Sequence, residues 1–281
     1  MLECISEHTC FGGVQGFYRH DSTVIGLPMR FSVYQPPQVK HHSVPVLFYL
    51  AGLTCSEETF MIKSGAQRFA AQAGIMLVTP DTSPRNTGIA GATDHWDFGE
   101  GAGFYLDATQ PPWNQHFKMD TYITQELRHL VLQSFSVNAD RLGVFGHSMG
   151  GHGALVLALR NPDIYHSVSA FSPVVAPTQC PWGQKAFSHY LGSEQSNWQQ
   201  YDATELMKNR TTPFPNGILI DQGLSDKFLQ EQLLPDQFEA ACVLAKQPLT
   251  LRRHVGYDHS YYFITSFIED HLAFHQHILG T

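Results

Sequence analysis

Short apolar runs alternate with amphipathic stretches along most of the chain. Near the start, Met29, Phe31 and Val33 occupy every second position, which predicts a half-buried strand. Apolar runs that end in turn residues predict further strands at 46–50, 75–78, 141–145, 168–171, 218–220 and 249–253. Patterns with helical spacing cover roughly 56–73, 122–135, 149–160, 227–244 and 261–278.

This alternation of strands and helices indicates an α/β protein with a mostly parallel sheet covered by helices on both faces. The first forty or so residues predict a small antiparallel start to that sheet. The chain shows no obvious linker or repeat, so we expect a single α/β domain over residues 1–281. The stretch 82–113 follows a strand and is rich in Gly and aromatic residues. A long loop of this kind predicts an ordered wall of a site at the carboxyl edge of the sheet.

Composition and charge narrow the class of protein. Hydrophobic residues make up 43% of the 281 residues, which excludes intrinsic disorder. The 17 Lys and Arg residues against 25 Asp and Glu residues give a net charge of −8. We therefore expect no nucleic-acid partner and no anionic membrane partner. No apolar stretch approaches the roughly 18 residues of a membrane span.

The five cysteines and 16 histidines are scattered along the chain. The cysteines are odd in number and form no C-x-x-C, so a reduced, cytoplasmic chain without disulfides is expected. No H-E-x-x-H is present, and His147 and His152 are five positions apart, off one helical face. We predict neither a metal site nor a cofactor.

A candidate nucleophile lies in the segment 146–150, which reads G-H-S-M-G and fits the pattern G-x-S-x-G. A strand pattern precedes the segment and a helical pattern follows it, the order that a nucleophile elbow requires. In such a turn the hydroxyl of Ser148 is exposed at the positive end of the helix, and the N–H of Met149 faces a developing oxyanion. The alternative is a Gly-rich strand–helix turn with a capping serine. The context favours catalysis.

A catalytic serine needs a base and an orienting acid, and after this elbow the acid precedes the histidine in the chain. Asp221 ends the predicted strand 218–220, and Asp226 lies in the turn beyond it. We favour Asp226, because a carboxylate in that turn reaches across the sheet edge; its alternative role is to cap the following helix.

His259 lies in the loop after the last predicted strand and before a helix, where the base is expected. Its alternative role is a helix cap. The other late histidines lie in the last strand pattern or in the C-terminal helical pattern: His254, His271, His275 and His277.

The second oxyanion donor is expected in the loop after the strand 46–50. Gly52 allows an irregular backbone there, and the N–H of Leu53 is the candidate. Cys55 is an alternative nucleophile, but nothing in the sequence places a base beside it. We therefore expect Ser148 to carry the chemistry.

These residues and the blocks around them resemble the S-formylglutathione hydrolase (esterase D) family. The resemblance covers nearly the whole chain and includes the blocks 50–55, 80–85, 96–105, 146–153, 221–226 and 256–262. It implies the α/β-hydrolase fold, with cleavage of S-formylglutathione to formate and glutathione in formaldehyde detoxification. It assigns Ser148, Asp226 and His259 as a triad and Leu53 and Met149 as oxyanion donors. Since the family commonly forms dimers, a homodimer is also predicted.

The substrate contacts follow from the chemistry of a glutathione thioester. The aromatic loop and a later tryptophan are expected to wall a small acyl pocket, and nearby cations are expected to bind the glutathione carboxylates. The candidates are Cys55, Trp96, Phe104, Trp182, Arg85 and Lys63.

Three positions depart from the family pattern. Ala51 replaces the usual Ser, Asn86 replaces a Gly and Asp120 replaces a Tyr. None belongs to the triad. The alternatives to the proposed thioesterase are a general carboxylesterase of small acyl esters, an acyltransferase and a non-catalytic binding protein.

Overall fold

In the computed structural model, which describes residues 2–280, nine strands form one sheet. They are β1 (Glu3–Cys10), β2 (Gly13–Asp21), β3 (Pro28–Gln35), β4 (Val44–Leu50), β5 (Met76–Pro80), β6 (Val137–His147), β7 (Ser167–Phe171), β8 (Ile218–Gly223) and β9 (Leu249–His254). In space their order is β1-β2-β3-β5-β4-β6-β7-β8-β9. The pairs from β1 to β5 are antiparallel, and those from β5 to β9 are parallel. This arrangement confirms the predicted sheet.

The residues of β4 divide the core between the two faces of the sheet. All seven are buried. Val46, Phe48 and Leu50 pack into one apolar cluster, whereas Leu47 and Tyr49 pack into another, because successive side chains point to opposite faces. A strand buried on both faces needs a continuous apolar run. That requirement is why the sequence predicts the parallel strands.

Helices cover both faces of the sheet. In the described chain they are α1 (Thr59–Lys63), α2 (Ala66–Ala73), α3 (Met119–Thr121), α4 (Arg128–Ser134), α5 (Met149–Arg160), α6 (Pro181–Tyr190), α7 (Ala203–Lys208), α8 (Pro235–Leu244) and α9 (Tyr261–Leu279). A π-helical segment, Tyr122–Leu127, joins α3 to α4. α5 packs on β4, β6 and β7, and α9 packs on β6, β7 and β8 from the opposite face. Within residues 2–280, no helix is both long and apolar enough to cross a membrane.

Two predicted helices are interrupted in the structure. The predicted helix 56–73 is two helices, because Gly65 between α1 and α2 has a φ of +68°. The predicted helix 227–244 begins as a π-helical turn, Leu229–Leu233, and α8 starts only at Pro235. Proline disfavours the helical conformation in the residue before it. Leu234, which precedes Pro235, has a φ of +54° and interrupts the helix.

The predicted antiparallel start of the sheet is confirmed, although the sequence pattern set no bounds for β1 and β2 and did not predict α6 or α7. Most side chains of β1 are exposed, so the strand depends on its pairing with β2 and leaves no apolar period in the sequence. α6 and α7 lie in the connection between β7 and β8. The stretch 82–113 is irregular up to a short 3₁₀ turn at Trp113–Gln115, as expected, and several of its aromatic rings are buried: Phe98, Phe104, Tyr105 and Trp113.

Candidate active site

Ser148 lies between the last residue of β6 and the first residue of α5, on a sharp turn with φ 59° and ψ −121°. The turn brings strand and helix together so closely that side chains do not fit. A Cβ on Gly146 would lie 2.2 Å from the carbonyl oxygen of Gly150, and one on Gly150 would lie 1.9 Å from that of Leu50. The glycines of the G-x-S-x-G segment are therefore required by packing, and the turn is the predicted nucleophile elbow.

The histidine and the acid come from the turns after the last two strands. Nδ1 of His259 lies 2.5 Å from Oδ2 of Asp226, whose carboxylate is fully buried. The N–H of Phe228 donates a second hydrogen bond, 2.9 Å long, to Asp226. The carboxylate therefore fixes the imidazole through Nδ1, and Nε2 is the ring nitrogen left outside this contact, as the predicted role of His259 as base requires.

Asp221, the alternative acid, is engaged elsewhere. Its buried carboxylate accepts hydrogen bonds from the Arg252 guanidinium at 2.6 and 2.5 Å. Nε2 of His254 and of His271 each lie 3.3 Å from it. Against the opposing effect of burial, the hydrogen bonds from His271 and Arg252 and the Arg252 charge hold the pKa of Asp221 well below its usual range. The geometry thus favours Asp226 as the partner of His259.

Two residues beside His259 were not predicted. The ring of Phe228 lies 5.0 Å from the His259 ring, and the ring of His147 lies 4.4 Å from it on another side. Burial, with the neighbouring charge of His259, holds the pKa of His147 well below its usual value, so this imidazole is neutral. In the sequence, Phe228 could have been identified as an apolar residue two positions after Asp226. His147 could have been identified by its position next to Ser148.

The two predicted oxyanion donors, Leu53 and Met149, belong to segments that lie next to Ser148. A Cβ on Gly52 would be 3.2 Å from Cβ of Ser148, so the peptide leading to Leu53 lies against the elbow. The N–H groups of Thr54 and Cys55 bond to carbonyls, whereas the N–H of Leu53 has no partner among residues 2–280. Met149 opens α5, and the first N–H groups of a helix have no partner within it.

These groups face a cleft of about 290 Å³. Ser148 and His259 line it, as do four of the six predicted substrate contacts: Cys55, Lys63, Trp96 and Trp182. The Trp182 ring packs between Trp96 at 5.7 Å and Phe228 at 4.7 Å. The cleft therefore has an aromatic wall, with one cation at its edge.

The other two predicted contacts do not line the cleft. Phe104 is fully buried, with its ring 6.0 Å from that of His152 on α5 and 6.2 Å from that of Phe187 on α6, so the structure places it outside the cleft lining. Arg85 forms an ion pair with Asp81 and lines a different cavity. It is therefore not a contact within the catalytic cleft.

Cys55 lies at the cleft as a protonated thiol. Burial raises the pKa of the thiol above its usual value, against the opposing effects of Thr59, Tyr261 and the Lys63 ammonium. Its carbonyl oxygen accepts hydrogen bonds from Thr82 at 2.6 Å and Arg85 at 2.8 Å. These bonds anchor the loop that carries Leu53.

The fold and the site define a serine hydrolase of the α/β-hydrolase class. A family model described as a putative esterase matches residues 22–274. S-formylglutathione hydrolases of Rattus norvegicus and Bos taurus are 50% and 51% identical to the chain over 280 residues, 99% of each sequence. The chain belongs to the S-formylglutathione hydrolase family.

Solved structures agree with this placement. An S-formylglutathione hydrolase from Agrobacterium tumefaciens is 45% identical, covers 99% of both chains and has a TM-score of 0.96. A fluorophosphonate-binding serine hydrolase from Staphylococcus aureus, 20% identical with a TM-score of 0.75 over 94% of this chain and 98% of that one, shares the fold.

Proposed function

We propose that the protein is a serine thioesterase that hydrolyses S-formylglutathione to formate and glutathione through a formyl-serine intermediate. The observation that carries the proposal is the meeting of Ser148 and the Asp226-bound His259 in one small cleft. The full-length similarity to hydrolases of this substrate supports the choice of thioester.

In the first half-reaction, Ser148 attacks the formyl carbon while Nε2 of His259 takes the hydroxyl proton. Asp226 stabilises the imidazolium that forms. The N–H groups of Leu53 and Met149 donate hydrogen bonds to the oxyanion of the tetrahedral intermediate. Collapse of the intermediate breaks the carbon–sulfur bond, and His259 returns its proton to the departing glutathione sulfur.

In the second half-reaction, His259 takes a proton from water as the water oxygen attacks the formyl-serine ester. The same two N–H groups hold the second oxyanion. Collapse releases formate and returns the proton to Ser148. Departure of glutathione needs little assistance, because a thiol with a pKa of about 8.5 is a good leaving group.

The physiological setting follows from this chemistry. A substrate formed from formaldehyde and glutathione places the enzyme in formaldehyde detoxification, in a reducing cytoplasm. The five cysteines of the chain, all free of disulfides, are compatible with that compartment. The homodimer predicted from the family resemblance stays a prediction, which sedimentation velocity would test.

The test compares kcat/KM on S-formylglutathione, S-acetylglutathione and p-nitrophenyl acetate. We expect the formyl thioester to be preferred. Ser148→Ala should lower kcat by several orders of magnitude, leaving only the roughly 10³–10⁴-fold acceleration that binding and the oxyanion donors supply. Equal kcat/KM on all three substrates would instead indicate a general carboxylesterase. Near-normal activity in a folded Ser148→Ala variant would refute the serine mechanism.

A further inference from the structure

A second cavity, of about 660 Å³, lies beside the catalytic cleft. Its lining includes residues of β2 and β3 and of the loops after β4 and β5. That loop is the wall between the two spaces: Leu53 and Cys55 line the cleft, whereas Thr54 and Ser56 line the cavity. A ligand bound at Ser148 therefore needs only to pass over this loop to enter the cavity.

Two arginines of the cavity are placed opposite each other. Arg19 on β2 pairs directly with Arg30 on β3, so both side chains extend from the same face. Both side chains are exposed, and within residues 2–280 neither forms an ion pair or a side-chain hydrogen bond. Like charges that face each other across a sheet destabilise it. Glu3 on β1 lies opposite Arg19 on its other side, but within residues 2–280 the two side chains form no ion pair. An anion bound between the two guanidinium groups would offset their repulsion.

Arg85 differs from that pair because its charge is already balanced. Its Nε and Nη2 donate to the Asp81 carboxylate at 3.0 and 2.7 Å, and Nη2 also donates to the carbonyl of Cys55. Arg85 therefore ties the wall between cavity and cleft to the end of β5. It leaves Arg19 and Arg30 as the cations available to a ligand.

Glu57 gives the cavity an acceptor for a positive group. The residue is only 4% exposed. Burial and the nearby Asp81 carboxylate raise its pKa to about 7, against the effect of Arg30. An ammonium group beside it would replace the lost solvation and favour the ionised carboxylate. Two other acids line the cavity: Asp81, which is paired with Arg85, and the exposed Glu58. Within residues 2–280, the cavity thus offers two cations and one buried acid that form no ion pair.

We propose that this cavity binds the γ-glutamyl end of the glutathione moiety, with its α-carboxylate between Arg19 and Arg30 and its α-ammonium at Glu57. The inference rests on the proposed function and extends it to the leaving group. An α-amino acid end is the part of glutathione that carries both charges on one carbon. Two cations beside one acid match that pair, whereas the glycyl end offers a carboxylate alone.

The reach is compatible with one substrate spanning both spaces. β3 and β2, which carry Arg30 and Arg19, lie three and four strand spacings from β6, about 14 and about 19 Å across the sheet. An extended tripeptide spans roughly 10 Å, and arginine side chains extend over the remaining distance. The cleft would then select the acyl group, and the cavity would select the thiol.

The first test separates this inference from the function itself. S-formylglutathione is compared with S-formyl-N-acetylcysteinylglycine, which keeps the thioester and the glycyl carboxylate but lacks the γ-glutamyl end. We expect KM for the truncated thioester to be at least tenfold higher, with kcat similar, because the lost contact acts equally in ground and transition states. Hydrolysis of neither substrate would refute the proposed function. Equal KM values would refute only the γ-glutamyl site.

The double variant Arg19→Gln/Arg30→Gln should raise KM for S-formylglutathione by about tenfold or more, since a hydrogen bond to a charged group contributes roughly that factor. KM for the truncated thioester should not change. The matched control is Arg68→Gln/Lys40→Gln, which removes two exposed charges outside the cavity. An equal rise in KM in the control variant would show that the arginines act by long-range electrostatic attraction of the substrate and not by direct contact. If the truncated thioester were equally affected, the arginines would bind the glycyl carboxylate.

Glu57→Gln tests the ammonium contact. The comparison substrate is the S-formyl thioester of the glutathione analogue that lacks the α-amino group. The wild-type enzyme should have a higher KM for this analogue than for S-formylglutathione, and Glu57→Gln should have similar KM values for both. Should the variant fold poorly, the wild-type comparison alone still decides. An unchanged wild-type KM would remove Glu57 from the site.

Discussion

Ser148 is held in a backbone conformation that serine rarely adopts. A residue at φ 59° and ψ −121° costs roughly 1–3 kcal/mol. Its N–H donates to the carbonyl of Phe171 at 3.0 Å, and its carbonyl accepts from His152 and Val174 at 3.0 and 3.2 Å. Both peptide groups of the residue are thus fixed by neighbouring elements. The fold carries the strain and keeps the hydroxyl at the sheet edge.

The two candidate acids should separate activity from stability. Asp226→Asn leaves the imidazole without the partner that sets its tautomer, so kcat should fall by about 10⁴ while the free energy of unfolding changes little. Asp221→Asn weakens a buried ion pair with Arg252, whose side chain is 32% exposed. It should lower the free energy of unfolding by roughly 2 kcal/mol, below the value for a fully buried pair, and retain most activity.

Steady-state kinetics and urea unfolding of both variants measure these outcomes. Arg252→Gln is the comparison for the second, because it removes the same ion pair from its other side together with the exposed ion pair to Asp270, and it should also retain most activity. The reverse pattern, with activity lost only in Asp221→Asn, would exchange the roles of the two acids.

Cys55 is predicted to be a bystander thiol whose modification blocks the cleft. Cys55→Ala should keep most activity and resist N-ethylmaleimide, because the sulfur takes part in no chemical step. In the wild-type enzyme the reaction should be slow at neutral pH and accelerate as pH rises, since the raised pKa leaves little thiolate. Inactivation should follow the labelling of Cys55, measured by mass spectrometry.

Two results would contradict this role. One is full activity after complete labelling of Cys55. The other is nearly complete loss of activity in a folded Cys55→Ala variant, which would give the thiol a chemical role.

At the scale of elements, the close contact of β4, β6 and α5 positions the nucleophile. In Gly150→Ala the new Cβ would lie 1.9 Å from the carbonyl of Leu50, so α5 has to move from the sheet. We expect a loss of at least about 3 kcal/mol, since the clash is with backbone, together with loss of activity. Gly88→Ala is the control: Gly88 has a φ of +69° with nothing within 4 Å, and the cost should be about 1 kcal/mol. Similar urea midpoints for the two variants would contradict this account.

The sequence predicts those elements that a pattern of apolar residues within one segment identifies. The parallel strands are buried on both faces and therefore appear as apolar runs. β1 could not be predicted in this way, because pairing with β2 stabilises it and most of its side chains stay exposed. The division between α1 and α2 depends on one residue, Gly65, within an otherwise helical pattern.

The site shows the same difference between local and distant contacts. The elbow residue Ser148 is recognisable because its motif, its strand and its helix are contiguous in the chain. The walls of the cleft are not contiguous in the chain, because Trp182 packs against Phe228, 46 positions later. Phe104 also lies in an aromatic stretch of the sequence, but it is buried away from the cleft. Composition indicates that aromatic residues gather near a site, and only packing decides which of them face it.

At the scale of the whole molecule, the loop after β4 separates two recognition tasks. The cleft of about 290 Å³ is lined by Ser148 and an aromatic wall, whereas the larger cavity is polar in its lining and contains Arg19 and Arg30. Selection of the acyl group and of the thiol should therefore be separable by mutation. A change in the aromatic wall should alter acyl preference without altering the affinity for glutathione as the leaving group.

Acyl length is the measurement that isolates the cleft. For the wild-type enzyme, kcat/KM on glutathione thioesters should fall from formyl to acetyl to butyryl, because each added carbon must fit against Trp182 and Trp96. Trp96 is 56% exposed, so Trp96→Ala should open the rim with little loss of stability. The ratio of butyryl to formyl kcat/KM should rise by about tenfold or more, since tenfold is the lower end of the range for one methylene in a hydrophobic pocket. Ile62→Ala, which removes an exposed side chain outside the cleft, should leave the ratio unchanged. Equal kcat/KM for butyryl and formyl thioesters in the wild-type enzyme would show that the aromatic wall does not set acyl size.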